Sequence, residues 1–262
     1  MVKPILNNDG EIMEYIAIRK DMTKIIKLNQ EVKKLHNYDI EQQNIAKEKI
    51  EIGIRNDFKE NSSNVIFTPL DILSGDFYSL YKRKDGSKFI YIIDGQGHGI
   101  SPALTIFSIS SIINNNIDTV PNLQTLIDTI FPIIKTFLGE IEQLSYTMIM
   151  VSADNKTLSY SSGGMYPFLV KTNQEVIKLK ANNIPFMDFS STPIVTEIAI
   201  KDWESLLLYS DGFVEHENNT LEKYTPLDLI QNSSLINKIK KIVKKTTLED
   251  DVTVVYLENE KI

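Results

Sequence analysis

Hydrophobic and polar positions follow two different rhythms in this chain, one up to about residue 56 and another beyond it. Val2–Leu6 and Ile12–Arg19 are short alternating segments on either side of Asn7-Asn8-Asp9-Gly10, a sequence that turns one strand back along another. A lone two-stranded hairpin does not persist in water, so residues 1–23 are expected to be the end of a domain that begins upstream. From Asp21 to Arg55 the composition shifts to Lys, Glu, Gln, Asn and Ile. Ile25, Leu28, Val32 and Leu35 stand three, four and three positions apart, the seam spacing of a coiled coil. Asp39 and Gln42 then occupy positions where that seam would continue. Residues 24–56 are predicted to be a helical linker that dimerises at its start. An amphipathic helix lying on the main domain is the other reading.

From Asn64 onward, short apolar runs alternate with turn residues. Leu73–Arg83 and Lys88–Ile93 flank Lys84-Asp85-Gly86-Ser87 and predict a β-hairpin. Further strands are expected at Ser145–Ser152, Thr157–Ser162, Phe168–Lys171, Val176–Leu179, Val195–Ile200, Ser205–Ser210 and Thr253–Leu257. Helices are expected at Pro102–Asn114, with its proline in the opening turn, at Leu123–Leu138 and at Pro226–Lys244. Antiparallel strands with helices clustered between them predict an α+β sandwich.

Composition removes several classes of function. The chain has 262 residues, a net charge of −7 and no cysteine, and its pI is near 5.1. The acidity argues against nucleic acid as a partner, and Lys82-Arg83-Lys84 and Lys240-Lys241 read as solvated faces. Without cysteine there is no disulfide, zinc finger, iron–sulfur centre or cysteinyl-phosphate chemistry. Three histidines, His36, His98 and His216, supply a His-rich site or a Ser-His-Asp triad poorly. No apolar run approaches the roughly 18–20 residues that span a bilayer and no signal-peptide core is present. The chain is expected to be cytoplasmic, with no membrane insertion of its own.

Any catalysis therefore falls to carboxylates. Four segments place one beside a strand end or tight turn: Ser74-Gly75-Asp76-Phe77, Asp94-Gly95, Ser210-Asp211-Gly212 and Glu249-Asp250-Asp251-Val252-Thr253. Each alone reads as a turn or cap. Together, two buried strands that each end in Asp-Gly can present their carboxylates at one rim of a sandwich. Clustered carboxylates repel unless a cation offsets them, and an all-oxygen set favours magnesium or manganese.

These segments, in this order, resemble a known family. SGDFY (74–78), DGQGHG (94–99) with Pro102-Ala103, SSGGMYPFLV (161–170), LLLYSDGFVE (206–215) and DDVTVV (250–255) are similar to the metal-dependent protein phosphatases of the protein phosphatase 2C type. Within it they resemble the bacterial branch typified by the stage II sporulation protein E phosphatase and the stress-response phosphatases. The resemblance covers about Asn64 to Glu258 and marks residues 57–262 as the phosphatase domain. It implies a four-layer αββα sandwich with two Mn2+ or Mg2+ ions between the sheets. It also implies phosphoserine/phosphothreonine hydrolysis by a metal-activated water attacking phosphorus in line. On that resemblance Asp94 bridges both ions, the Gly95 carbonyl holds one, Asp211 and Asp250 complete the other, and Asp76 stands close by. Asp94 and Asp76 are the expected catalytic pair.

There are departures from the family pattern. Its Asn-Ala-Gly-His segment reads Ser162-Gly163-Gly164-Met165 here, and the usual Gly-Asp before the Asp211 strand reads Lys201-Asp202-Trp203. Both bear on substrate preference. His98, Gly164 and Asp251 are expected beside the substrate or the switch helices, His98 with a structural hydrogen bond. The helix starting near Pro102 is the expected switch. Asn8-Asp9-Gly10-Glu11, Tyr15–Arg19 and Asp21-Met22-Thr23 resemble the last hairpin and exit of a PAS sensor domain. The substrate expected on these grounds is a phosphoprotein of a partner-switching pathway, such as an anti-sigma-factor antagonist, met by a homodimer. A non-catalytic partner-binding module and a hydrolase of small phosphate esters are the alternatives.

Overall fold

The hairpin at the start of the chain forms as its turn sequence predicts. In the computed structural model, which describes residues 2–17, 20–58, 63–140, 142–215, 223–246 and 248–259, β1 (Val2–Leu6) pairs antiparallel with β2 (Ile12–Ala17). Asn7 Oδ1 accepts the N–H groups of Asp9 and Glu11, and Gly10 takes the left-handed conformation the turn needs (φ 81°). The expected end of the second strand, Ile18 and Arg19, lies outside the described residues. Helix α1 (Thr23–Ile52) follows, with no buried residue along its length. The hairpin and the helix as far as Gln42 form one compact unit, and Gln43–Ile262 form a second.

In the second unit the chain alternates between two five-stranded sheets. It runs through β3 (Ser63–Thr68), β4 (Asp76–Lys82), β5 (Lys88–Gly95), helices α2 (Ile100–Asn116) and α3 (Leu123–Ile134), and β6 (Leu144–Val151). It continues through β7 (Thr157–Gly163), β8 (Phe168–Thr172), β9 (Val176–Leu179), β10 (Thr196–Ala199), β11 (Trp203–Tyr209), α4 (Pro226–Gln231), α5 (Ser234–Val243) and β12 (Val252–Glu258). One sheet has the order β10-β7-β6-β5-β4 and the other β3-β12-β11-β8-β9, with every pairing antiparallel.

Three apolar layers hold the sandwich together. Alternate residues of the first sheet, among them Phe77, Phe89, Tyr91 and Ile93, pack against α2 and α3. Their neighbours Leu80, Ile90 and Ile92 face the second sheet and meet Leu206, Leu208, Val255 and Leu257. The outer face of the second sheet, with Leu207, Val252 and Val254, packs on α4 and α5. This is the αββα arrangement. Each fully buried Ile or Leu contributes roughly 1.5–3 kcal/mol, so the inter-sheet row is costly to expose. At one end of that layer Lys88 closes the row, its ammonium on Asn155 Oδ1 and over the Trp203 ring. The last turns of α1 join this unit too: Ile50 and Ile54 pack on the α2–α3 layer, and Asn114 Nδ2 donates to the Gly53 carbonyl.

Two elements differ from the sequence-based expectation. The helix expected over Pro226–Lys244 is two helices, because Asn232 ends α4 in a non-helical conformation and its side chain accepts from the Ser234 N–H and hydroxyl. Short polar side chains compete with the helix backbone in this way. β3 was not expected as a strand; it lies at a sheet edge along β12, where Ser63, Asn64 and Thr68 weaken its apolar signal. No helix among the described residues is long and apolar enough to cross a membrane.

Candidate metal centre

Alternation carries the inward rows of both sheets to a common polar rim. The row that holds Leu80, Ile90 and Ile92 continues to Asp76 and Asp94, which stand directly opposite each other in the β4–β5 ladder. That register follows from the turn at Lys84–Ser87, where Gly86 has φ 87° and Asp85 Oδ1 accepts the Ser87 N–H. In the facing sheet, Leu206 and Leu208 lead to Ser210, and Leu257 and Val255 lead back to Thr253 and Asp251.

Hydrogen bonds tie the two rims together. Thr253 Oγ1 donates to Asp76 Oδ2 at 2.6 Å, from one sheet to the other. Ser210 Oγ accepts the Thr253 N–H at 3.0 Å and donates to the Asp251 carbonyl at 3.3 Å. The Asp251 carboxylate accepts the N–H groups of Leu70 at 2.6 Å and Gly75 at 2.5 Å. Asp251 is thus the anchor of the segment that leads into Asp76. Asp251→Ala is expected to cost about 2–3 kcal/mol, since two N–H groups lose a charged acceptor. Asp251→Asn keeps one acceptor and should lose less in thermal unfolding; equal losses would refute the anchoring role.

Two glycines permit the approach of the loops. A Cβ on Gly212 would stand 2.0 Å from the Asp251 carbonyl oxygen and 3.3 Å from the Asp250 Cβ. The turn carrying Asp211 therefore lies directly against the segment carrying Asp250. A Cβ on Gly75 would stand 2.5 Å from the Gly97 carbonyl oxygen and 3.3 Å from that of Gly95. Two backbone oxygens of the glycine loop accordingly converge on Gly75, the residue before Asp76.

The electrostatics are those of crowded anions. Burial, then the charges of Asp211, Asp250 and Asp251, pushes Asp94 up to about 8. Burial and the Asp94 charge hold Asp76 well above the usual carboxylate range, against the pull of the Thr253 hydrogen bond. Burial and then Asp250 raise Asp211. The groups acting on Asp94 are all negative. Carboxylates and carbonyls together make a hard, all-oxygen donor set, the chemistry that suits magnesium or manganese. Among the described residues, no three His, Asp or Glu side chains are already arranged to hold an ion.

The structure thus brings Asp76, Asp94, Gly95, Asp211, Asp250 and Asp251 to one rim. Gly164 lies farther along the same sheet, with φ 73° and held against Ser145 and Pro185; Ser145 is the β6 partner of Asp94. His98 is exposed, and the structural hydrogen bond expected of it is not made among the described residues. Ser210 and Thr253 were not expected as site residues, although both fall on the inward row. Nor were Tyr166 and Glu215, whose side chains meet at 2.5 Å across 49 positions of sequence.

An αββα sandwich with carboxylates gathered at one rim of the inter-sheet layer defines a phosphatase fold of the protein phosphatase 2C type. The chain matches the family model for stage II sporulation protein E (SpoIIE) over residues 84–260, and it belongs to that family. Among solved structures it is similar to the SiaA-PP2C domain of Pseudomonas aeruginosa (TM-score 0.68, 16% identity, 87% of this chain and 99% of that one). It is also similar to the phosphatase domain with a regulatory fragment of SpoIIE from Bacillus subtilis (0.58, 20%, 76% and 63%). A third similar structure is RsbX in complex with magnesium (0.58, 14%, 77% and 97%). At these identities the likeness is one of fold. No curated protein matches the chain.

Proposed function

We propose that this chain is a metal-dependent phosphoserine/phosphothreonine protein phosphatase of bacterial signalling. The observation that carries the reading is the meeting of Asp76, Asp94, Asp211 and Asp250 at one rim in a member of the SpoIIE family. Asp94 and the Gly95 carbonyl, with Asp211, Asp250 and Asp76, are the residues to hold two Mn2+ or Mg2+ ions. Bound there, such ions supply an acidified water and offset charge on the transferring phosphoryl group. The chain's own contribution is alignment. Thr253 fixes one oxygen of Asp76 from the facing sheet. Asp251 holds the Leu70–Gly75 segment, and Gly212 keeps the Asp211 and Asp250 loops in contact.

The substrate class in this reading is a phosphorylated partner-switching regulator, such as an anti-sigma-factor antagonist. A homodimer through α1 is supported by Ile25, Leu28, Val32 and Leu35, all of them exposed. The β1–β2 hairpin fits the tail of a PAS sensor, and the chain as a whole fits the cytoplasm. Release of phosphate from a phosphoserine peptide, measured with manganese and after chelation, tests the activity. Turnover that chelation leaves untouched would refute the metal-dependent mechanism. The exposed seam of Ile25, Leu28, Val32 and Leu35 also suits a second reading, a non-catalytic module that keeps the fold and works by dimerisation and partner binding. Calorimetric titration with manganese separates the two, since the module predicts no binding at this rim.

A further inference from the structure

One side chain grips the Asp211 turn from two directions. The ring of Tyr166 lies against Tyr209, two residues before Asp211, with centroids 6.2 Å apart and planes tilted by 30°. Its hydroxyl donates to Glu215 Oε1 at 2.5 Å. The Glu215 N–H donates in turn to the Asp211 carbonyl at 2.8 Å, beside the Val214 N–H at 2.7 Å. The backbone that presents Asp211 is therefore braced on both flanks by a residue from the segment between β7 and β8. Tyr166 is 38% exposed and lies at the edge of the layer packed on α4 and α5, to which Tyr209 belongs. Its phenol is pushed up to about 12, first by the Glu215 hydrogen bond, then by burial and the charges of Glu215 and Asp211. The hydroxyl thus remains a donor at physiological pH.

We infer that Tyr166 is a positioning residue for Asp211, acting on the metal centre through Glu215 and the 209–215 turn. The inference rests on the metal-centre reading above. Outer partners that orient ligand side chains are worth roughly 10- to 100-fold in metal affinity, whereas an exposed hydrogen bond adds little to global stability.

The test is calorimetric titration of the full chain with manganese, paired with thermal unfolding of the ion-free protein. Tyr166→Phe keeps the ring on Tyr209 and loses the hydroxyl. It should bind manganese about tenfold more weakly at an unchanged melting temperature. Tyr166→Leu loses both contacts and should bind more weakly still. Glu215→Gln retains an acceptor for the hydroxyl and the same backbone bond, and should keep most of the affinity. Equal or tighter binding by Tyr166→Phe, with wild type binding normally, overturns the inference and leaves the metal centre standing. Weaker binding that comes with an equal loss of ion-free stability marks a merely structural contact and also overturns it. No manganese binding by wild type overturns the metal-centre reading, and this inference with it.

Discussion

Asp94→Asn is expected to abolish phosphate-ester hydrolysis, by about a thousandfold or more, while making the ion-free protein more stable at pH 8. A thousandfold loss corresponds to about 4 kcal/mol of transition-state stabilisation, a reasonable share for a carboxylate proposed to bridge two ions. The stability gain has a separate cause. Asp94 is raised from 3.8 to about 8 by burial and by three neighbouring carboxylates. Between those two values the folded chain keeps a proton that the unfolded chain has released. Stability therefore falls as pH rises from about 4 to about 8, by up to about 1.4 kcal/mol per pH unit for one such proton. Below pH 4 the group makes no difference, and above pH 8 its full penalty is present. Asparagine removes the charge and the penalty together. Melting temperatures across pH 4–8 should decline in wild type and less steeply in the variant, where burial still raises Asp76 and Asp211. Manganese added at pH 8 should restore wild type alone. A wild-type melting temperature that does not decline would show that the rim is not electrostatically crowded.

Gly212→Ala should damage both the fold and the centre. Its Cβ would lie 2.0 Å from the Asp251 carbonyl oxygen and 2.9 Å from the carbonyl carbon. That backbone is poorly placed to yield. The Asp251 carboxylate is held by the Leu70 and Gly75 N–H groups, and its carbonyl accepts from Ser210 Oγ. Crowding of this kind costs roughly 1–3 kcal/mol, or about 2–4 °C of melting temperature per kcal/mol in a domain of this size. What relief is available comes from parting the Asp211 and Asp250 loops, so manganese affinity should fall with stability. Gly139→Ala is the control, because its Cβ would meet nothing nearer than 3.7 Å. Similar melting temperatures and metal affinities in the two variants would refute the close-approach argument.

The centre was legible in the sequence where chemistry and strand geometry coincide. Asp94 follows an apolar run directly and Asp211 follows one after Ser210, so the run that buries the strand also delivers the carboxylate to its end. The opposition of Asp76 to Asp94 was implicit in Lys84-Asp85-Gly86-Ser87, because a hairpin turn sets its register. Thr253 and Ser210 were hidden by their ordinary chemistry: a hydroxyl near a strand end has many uses, and only the inward parity singles it out. The Tyr166–Glu215 bond left no local trace, since it joins the connection between β7 and β8 to the turn after β11, 49 positions further along the chain. The break at Asn232 was missed because the apolar spacing of the two helices runs on through it, while the capping side chains that divide them are short and polar.

The alternation of β5 sets an arithmetic rule for insertions and deletions. Lys88, Ile90, Ile92 and Asp94 share one face, and Phe89, Tyr91 and Ile93 share the other. Adding or removing one codon between Lys88 and Asp94 would swing the carboxylate to the α2–α3 side and expose an isoleucine to the rim. Changes of length there are tolerable only in steps of two, whereas the Lys84–Ser87 turn stands outside the rule. The surviving length variants of this strand should therefore differ by even numbers of residues.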